Sequence, residues 1–395
     1  MKLVLFGEDF RLGVLQGETV IDASSVANEI PHHTPQEMMS RLIEDFDRHR
    51  SALERLASSS QGVSVSEVRL RAPLPRPARL ACMAVNYMES EEQTEPPPIN
   101  AFNKSSSSVI GDGDTVVLPD APATVFEHEA ELALVIGREA TDVKAADAYS
   151  HVFGYVNFID VSARGLHQSS LFIGKSWDSF GPMGPFLVTA DEVADPQNLQ
   201  IRLWVNEDLK QNYNTNDMAH QIPRIIEWVS SIHDLEPGDV IATGTNHRGL
   251  SAFQDTDKVD LEVEGLGTLQ FNIRDDLKRT WARTTRLEMA ETMMLGLRLD
   301  GGVGIEGFAR RFGAAPSEVY SDVIAELEEA GEYEVRIDRL LASLSVVPAV
   351  VEVTVTPTVE AVTPTAVATV APLEPTPTAT PFVPVEEIVP PRERG

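Results

Sequence analysis

The stretch from Phe126 to Gly137 constrains this chain more than any other. It reads Phe126-Glu127-His128-Glu129-Ala130-Glu131-Leu132-Ala133-Leu134-Val135-Ile136-Gly137, with a continuous apolar end closed by glycine. That pattern predicts a strand. Side chains alternate faces along a strand, so Glu129 and Glu131 project from the same side. Carboxylates that close raise one another's pKa unless a cation lies between them. Hard oxygen ligands of this kind suit Mg²⁺, Mn²⁺ or Ca²⁺. A second apolar stretch, Val152 to Ile159, delivers Asp160 as a candidate third oxygen ligand, and Glu127, on the same strand face, is a substitute candidate. A bare Glu-x-Glu pair also occurs on solvated edges that bind nothing, so the surrounding sequence has to decide.

Composition narrows the function. A chain of 395 residues has room for two or three domains. Its formal charge of −29 is the reverse of the basic footprint that nucleic-acid binding needs, and it disfavours an anionic membrane surface. The single cysteine, Cys82, excludes an intramolecular disulfide and any multi-cysteine metal site. The N-terminal residues place acids where a signal peptide has its apolar core, and no apolar run reaches membrane-spanning length. A cytoplasmic protein is the expectation.

The organisation changes three times. Residues 1–75 read as a small α+β module. Strands near Lys2–Phe6 and Arg11–Leu15 lead to a helix from the capping box Thr34-Pro35-Gln36-Glu37 to about Ala57. Residues 76–280 carry short strands separated by Gly, Pro and Asp turns. The one good helical candidate there, Asp217 to Ile232, is interrupted by Pro223. Mostly β is the reading. In residues 281–343 helical spacing returns at Leu287–Leu299, around Phe308–Phe312 and at Ser317–Ala330. Glu334-Val335-Arg336-Ile337 then follows, which suggests a winged-helix module. The third of these helices carries Glu318, Asp322, Glu326, Glu328 and Glu329, which would repel phosphates, so an accessory or packing role is expected. Residues 344–395 are rich in Pro, Thr and Val with no amphipathic period, the composition of a disordered tail.

The blocks Glu-Ala-Glu-Leu-Ala-Leu-Val-Ile-Gly, Phe-Gly-Tyr-Val-Asn-Phe-Ile-Asp-Val-Ser-Ala-Arg, Gly174-Lys175-Ser176, Gly184-Pro185 and Pro237-Gly238-Asp239-Val240-Ile241-Ala242-Thr243-Gly244-Thr245 occur in that order. In this the chain closely resembles the fumarylacetoacetate hydrolase family, from about residue 1 to residue 280. The resemblance implies a mixed β-sandwich and β-roll catalytic domain behind the N-terminal module. It implies Glu129, Glu131 and Asp160 as ligands of Mg²⁺ or Mn²⁺, with Ca²⁺ a third candidate. It also implies Arg164 as the substrate-anion arginine and Lys175 as the active-site lysine that binds substrate and holds developing negative charge. Thr245 is implied as a donor to the substrate carboxylate and Gln211 as a pocket residue. A homodimer is implied as well. Residues 281–343, through Met294-Leu295-Gly296-Leu297-Arg298-Leu299 and Phe308-Ala309-Arg310-Arg311-Phe312-Gly313, are similar to the C-terminal segment of the oxygen-independent coproporphyrinogen oxidase and haem-chaperone family. That family's three-cysteine iron–sulfur motif is absent here.

One departure bears on the reaction. Many family members follow Asn-Tyr with a histidine and a glutamate that orient and deprotonate water. Here Asn86-Tyr87 is followed by Ser90 and Gln93 at those positions, with Glu89, Glu91, Glu92 and Glu95 nearby. His220 and His247 stand where the family has other residues. An imidazole titrates near neutrality, so each is a candidate base.

The resemblance therefore implies a metal-dependent hydrolase or lyase. Its expected reaction is C–C bond cleavage, by hydrolysis or decarboxylation, in a small 2-oxo or β-diketo carboxylate such as an acylpyruvate, of the kind met in aromatic catabolism. A hydratase or isomerase of 2-oxo-alkenoates, a binding protein of the same fold without turnover, and an interaction adaptor built on residues 281–343 are the other readings.

Overall fold

The computed structural model describes residues 1–88, 95–166 and 170–280. The winged-helix expectation for 281–343 and the disordered tail at 344–395 lie outside them, as do Glu89, Ser90, Glu91, Glu92 and Gln93. The described chain is mostly β, in mixed sheets.

The largest sheet has 12 strands. At its middle lie Gly181–Thr189, Val152–Ile159 and Ala130–Ile136, each antiparallel to the next. Every residue of Gly181–Thr189 and of Ala130–Ile136 is buried. A strand covered on both faces has no polar face to alternate with, which is why these sequences read as apolar runs. On one side Lys2–Phe6 pairs with Gly181–Thr189, so the N-terminal strands extend this sheet. On the other, Val240–Ala242 pairs antiparallel with Ala130–Ile136 and parallel with Leu80–Met83.

A second, 5-stranded sheet contains Asp208–Asn214, Gln200–Val205, Lys258–Val263, Thr268–Arg274 and Thr115–Val117. Here the alternation is plain. In Thr268–Arg274 every second residue is buried, as expected of a sheet packed on one face only. Its apolar face, with Leu203, Leu261, Leu269 and Phe271, joins one core cluster with Leu132, Leu134 and Ile136 of the large sheet. Asn157 ties the sheets together by donating from Nδ2 to the Gly267 carbonyl at 2.9 Å.

Three local expectations need correction. The helix from Thr34 to about Ala57 is two helices, Pro35–Glu44 and Phe46–Ser59, broken at Asp45. Thr34 does cap the first, accepting from the Glu37 amide at 3.1 Å, but the Glu37 carboxylate turns to the His33 amide at 2.8 Å. The helix expected from Asp217 starts at Ile222, and Pro223 sits in its first turn rather than interrupting it. A missing N–H costs nothing at that position. Finally, the run from Phe126 to Gly137 is two strands, Val125–Glu127 and Ala130–Ile136, with a break at His128 and Glu129.

Asp112 binds the second sheet by accepting from the Gln270 amide at 2.8 Å. Burial pushes its carboxyl up to about 6, helped by Asp114 and Asp260. A carboxyl raised on folding binds more protons folded than unfolded, so its contribution to stability is fully present below its ordinary value of 3.8 and is lost as pH rises through about 6. Asp112→Asn keeps the acceptor and removes the charge. It is expected to leave stability unchanged at about pH 3 and to raise it by about 1–2 kcal/mol at about pH 8. Urea titrations at the two pH values check this. An equal effect at both would show that the carboxyl is not the cause.

Candidate active site

The break at His128 and Glu129 lies opposite a second break. Val152–Ile159 ends at Asp160, and the chain resumes as Ser162–Arg164, which pairs with Val125–Glu127. Across the two breaks the Asp160 amide donates to the Glu129 carbonyl at 3.0 Å. This register brings Glu129, Glu131 and Asp160 together, with one carboxylate oxygen of each within 4.8 Å of the others. All three are buried, at 6%, 0% and 1% exposure. Glu127 is outside the cluster and accepts from Arg164 Nε at 2.9 Å.

Cations surround the carboxylates. Lys175 sits at the end of the short helix Leu171–Lys175 and is itself buried. Its Nζ donates to Glu129 Oε2 and to Asp160 Oδ2, both at 2.7 Å. Glu129 Oε1 accepts from Ser162 Oγ at 2.9 Å and from Arg164 Nη2. Asp160 Oδ1 accepts from Lys104 Nζ at 2.6 Å. Burial alone would push the Glu129 carboxyl up. The charges of Lys175, Arg164 and His247 outweigh it and hold the group below the usual carboxylate range. For Lys175 burial disfavours the charge, but the carboxylates of Asp160 and Glu129 win and raise its pKa.

Glu131 is different. Its Oε2 accepts from the Gly244 amide at 2.8 Å, while Oε1 is buried with no hydrogen-bond partner among the described residues. Burial, then the charges of Asp160 and Glu129, push its carboxyl well above the usual range. A buried acceptor without a donor is costly, and a cation removes that cost. Three converging carboxylates with one orphaned oxygen therefore fit a hard divalent cation. Gly244 is needed for this geometry. Its φ is +86, and a Cβ there would meet Asn86 Cβ at 3.0 Å.

The other candidates are placed as follows. Arg164 is about one third exposed, beside Glu127 and Glu129. His247 is half-buried and near enough to Glu129 to depress its carboxyl. His220 lies among Asn86 and the Pro97 segment. Its amide donates to Asn86 Oδ1 at 3.0 Å, and Nε2 contacts the Pro97 carbonyl at 2.7 Å. Gln211 and Thr245 are buried side by side. Gln211 Nε2 donates to Thr245 Oγ1 at 2.9 Å and to the Asn246 carbonyl at 2.7 Å. Its Oε1 accepts from the Ala130 amide at 3.1 Å and from His128 Nδ1 at 2.8 Å. The Ser251 amide donates to His128 Nε2 at 3.2 Å, which leaves Nδ1 as the protonated nitrogen. All four positions of the Gln211 amide are thus engaged within the protein, holding the Thr245–Asn246 loop against Ala130.

Sequence reasoning missed Lys104, Ser162 and His128. Lys104 stands in Asn103-Lys104-Ser105, and nothing local separates it from a solvated lysine. His128 had a signal, its place between Glu127 and Glu129.

Comparison with known proteins identifies the family of the chain. The family model for the fumarylacetoacetate (FAA) hydrolase C-terminal domain matches residues 79–274, and that for the HemN C-terminal domain matches 285–343. The mitochondrial oxaloacetate tautomerase FAHD2B of Bos taurus is 37% identical over 290 residues, 68% of this chain and 90% of that protein. Maleylpyruvate hydrolase of Aquipseudomonas alcaligenes is 33% identical over 290 residues, 69% of this chain and 99% of the relative. Among solved structures, maleylpyruvate hydrolase from Sphingobium sp. SYK-6 in complex with manganese(II) and pyruvate has a TM-score of 0.64 at 34% identity. That match covers 70% of this chain and 99% of the other.

For metal binding, Glu131→Ala and Asp160→Ala are each expected to weaken Mn²⁺ binding at least 100-fold in calorimetry, as loss of a ligand from a three-carboxylate site should. Full retention in both would remove the metal assignment. From the matched sequence and the shared fold, the chain belongs to the fumarylacetoacetate hydrolase family and is an enzyme of that family.

Proposed function

We propose that this enzyme enolises a small 2-oxo carboxylate at a divalent metal, Mg²⁺ or Mn²⁺, held by Glu129, Glu131 and Asp160, and that its main reaction is keto–enol tautomerisation of an oxaloacetate-like substrate. The observation that carries this is the convergence of the three buried carboxylates with the unpartnered Glu131 oxygen. When bound, the ion supplies Lewis-acid stabilisation of an enolate.

Charge supports an anionic substrate. Lys104, Lys175 and Arg164 already face Glu127, Glu129, Glu131 and Asp160, so a dication makes the site net positive. Arg164, the most accessible of these cations, suits the substrate carboxylate. Lys175 holds the negative charge that develops on the 2-oxo oxygen. His247 is the better placed of the two histidines to move a proton between carbon and oxygen, because it lies near enough to Glu129 to act on its carboxyl, whereas His220 sits on Asn86 and the Pro97 carbonyl. Thr245 presents its hydroxyl beside Gln211 for a second carboxylate oxygen.

Tautomerisation is favoured over hydrolysis because Ser90 and Gln93 stand where many family members carry a water-activating histidine and glutamate. Enolisation needs no activated water: a proton leaves carbon and one is gained by oxygen. A second reading, hydrolytic C–C cleavage of an acylpyruvate, is favoured by the near full-length likeness to maleylpyruvate hydrolase.

The test follows enol absorbance of oxaloacetate and pyruvate release from acylpyruvates, each with Mn²⁺ or Mg²⁺ and with chelator. Metal-dependent acceleration of enol–keto exchange is expected, and His247→Asn should lower kcat about 10²–10⁴-fold while leaving Mn²⁺ affinity within a few fold. Pyruvate release without enol–keto catalysis would select the hydrolase. No metal-dependent turnover of either kind, with Mn²⁺ still bound, would leave a binding protein.

A further inference from the structure

Lys104 is the least accessible of the cations around the centre, its side chain at 0% exposure. An ammonium buried that completely is costly unless its donors are matched. Its Nζ donates to Asp160 Oδ1 at 2.6 Å, to the Val161 carbonyl at 3.4 Å and to the backbone carbonyl of Lys175. All three donors of the ammonium are therefore accounted for.

These partners belong to two different elements of the site. One is the chain break that carries Asp160. The other is the end of the helix Leu171–Lys175, whose last side chain reaches the same carboxylate from the opposite oxygen. The residue after Lys104 makes the same connection, since the Ser105 amide donates to Ser176 Oγ at 3.1 Å. The segment itself is anchored to the large sheet, where the Lys104 amide donates to the Leu80 carbonyl at 2.9 Å.

Resting on the metal-site reading above, we propose that Lys104 is a positioning residue for the candidate metal centre. By holding Asp160 Oδ1 and the Lys175 carbonyl together, it fixes which oxygen of Asp160 faces Lys175 Nζ and the cluster. It also sets the distance between the third carboxylate and the helix that carries Lys175.

A role limited to charge balance makes the opposite prediction. Removing a positive charge beside three carboxylates strengthens their attraction for a dication, so Lys104→Met would bind Mn²⁺ at least as tightly as the wild type. Losing the group that orients a ligand weakens binding, typically about 10–100-fold.

The experiment measures Mn²⁺ affinity by calorimetry on the full chain for wild type, Lys104→Met, Lys104→Gln and Asp160→Asn, with thermal unfolding to establish that each is folded. Expected are a roughly 10–100-fold weakening in Lys104→Met and a smaller loss in Lys104→Gln, which retains an N–H donor without the charge. Equal or tighter Mn²⁺ binding in either folded variant overturns the proposal. Because charge removal alone tightens cation binding in both, one folded variant is enough to decide. If the wild type binds no Mn²⁺ and Asp160→Asn changes nothing, the metal reading falls and this proposal with it. If Asp160→Asn abolishes binding while Lys104→Met retains it, only the role of Lys104 falls.

Discussion

Carboxylates buried together are the constraint on which the centre of this protein depends. Glu129, Glu131 and Asp160 lie within 4.8 Å of one another at single-digit exposure, where repulsion between charges is several-fold stronger than in solvent. The fold answers unequally. Glu129 and Asp160 share Lys175, and each has a further cation of its own, Arg164 for one and Lys104 for the other. Among the described residues, Glu131 receives only the Gly244 amide, on one oxygen. That inequality pulls the Glu129 carboxyl below its ordinary range and pushes Glu131 far above it. A proton on Glu131 and a cation among the three carboxylates are two ways of meeting the same electrostatic demand.

The backbone earns this arrangement by interrupting its own sheet. Two strands, Ala130–Ile136 and Val152–Ile159, both give way at the candidate centre, at Glu129 and at Asp160. Aligned breaks, closed by the Asp160 amide on the Glu129 carbonyl, leave room for side chains to turn inward from neighbouring strands. The third contribution arrives from Val240–Ala242, after which the left-handed Gly244 turns the backbone so that its amide meets Glu131. Gln211 then holds the next turn of that loop to Ala130, and His128 fixes which way round the amide lies. Residues that never need to touch a substrate thus set the positions of those that would.

By its resemblance to the family, this chain combines a candidate metal-binding cluster with an altered set of candidate proton-transfer groups. The three carboxylates, Arg164 and Lys175 stand in the order that the resemblance implies, while Ser90 and Gln93 stand where it implies a histidine and a glutamate. Generating an enolate and cleaving a bond with water make different demands on a site. The first needs an electron sink and a group to move one proton; the second also needs an activated water. A change confined to the second demand is compatible with chemistry that stops at the enolate.

Much of the fold was legible because its signals are local. Apolar runs marked strands covered on both faces, and Thr34 marked a helix start. The order of Glu129, Glu131, Asp160, Arg164 and Lys175 was likewise written in short motifs. What the sequence concealed was continuity and partnership. It showed one strand where the structure has two, since a break of two residues barely disturbs an apolar pattern. It gave no hint that Lys104 would meet Asp160 across 56 positions, or His128 meet Gln211 across 83. Periodicity records which face of an element is buried. The partner of a buried charge is settled only when distant segments pack, because its energy depends on separation in space and not on separation along the chain.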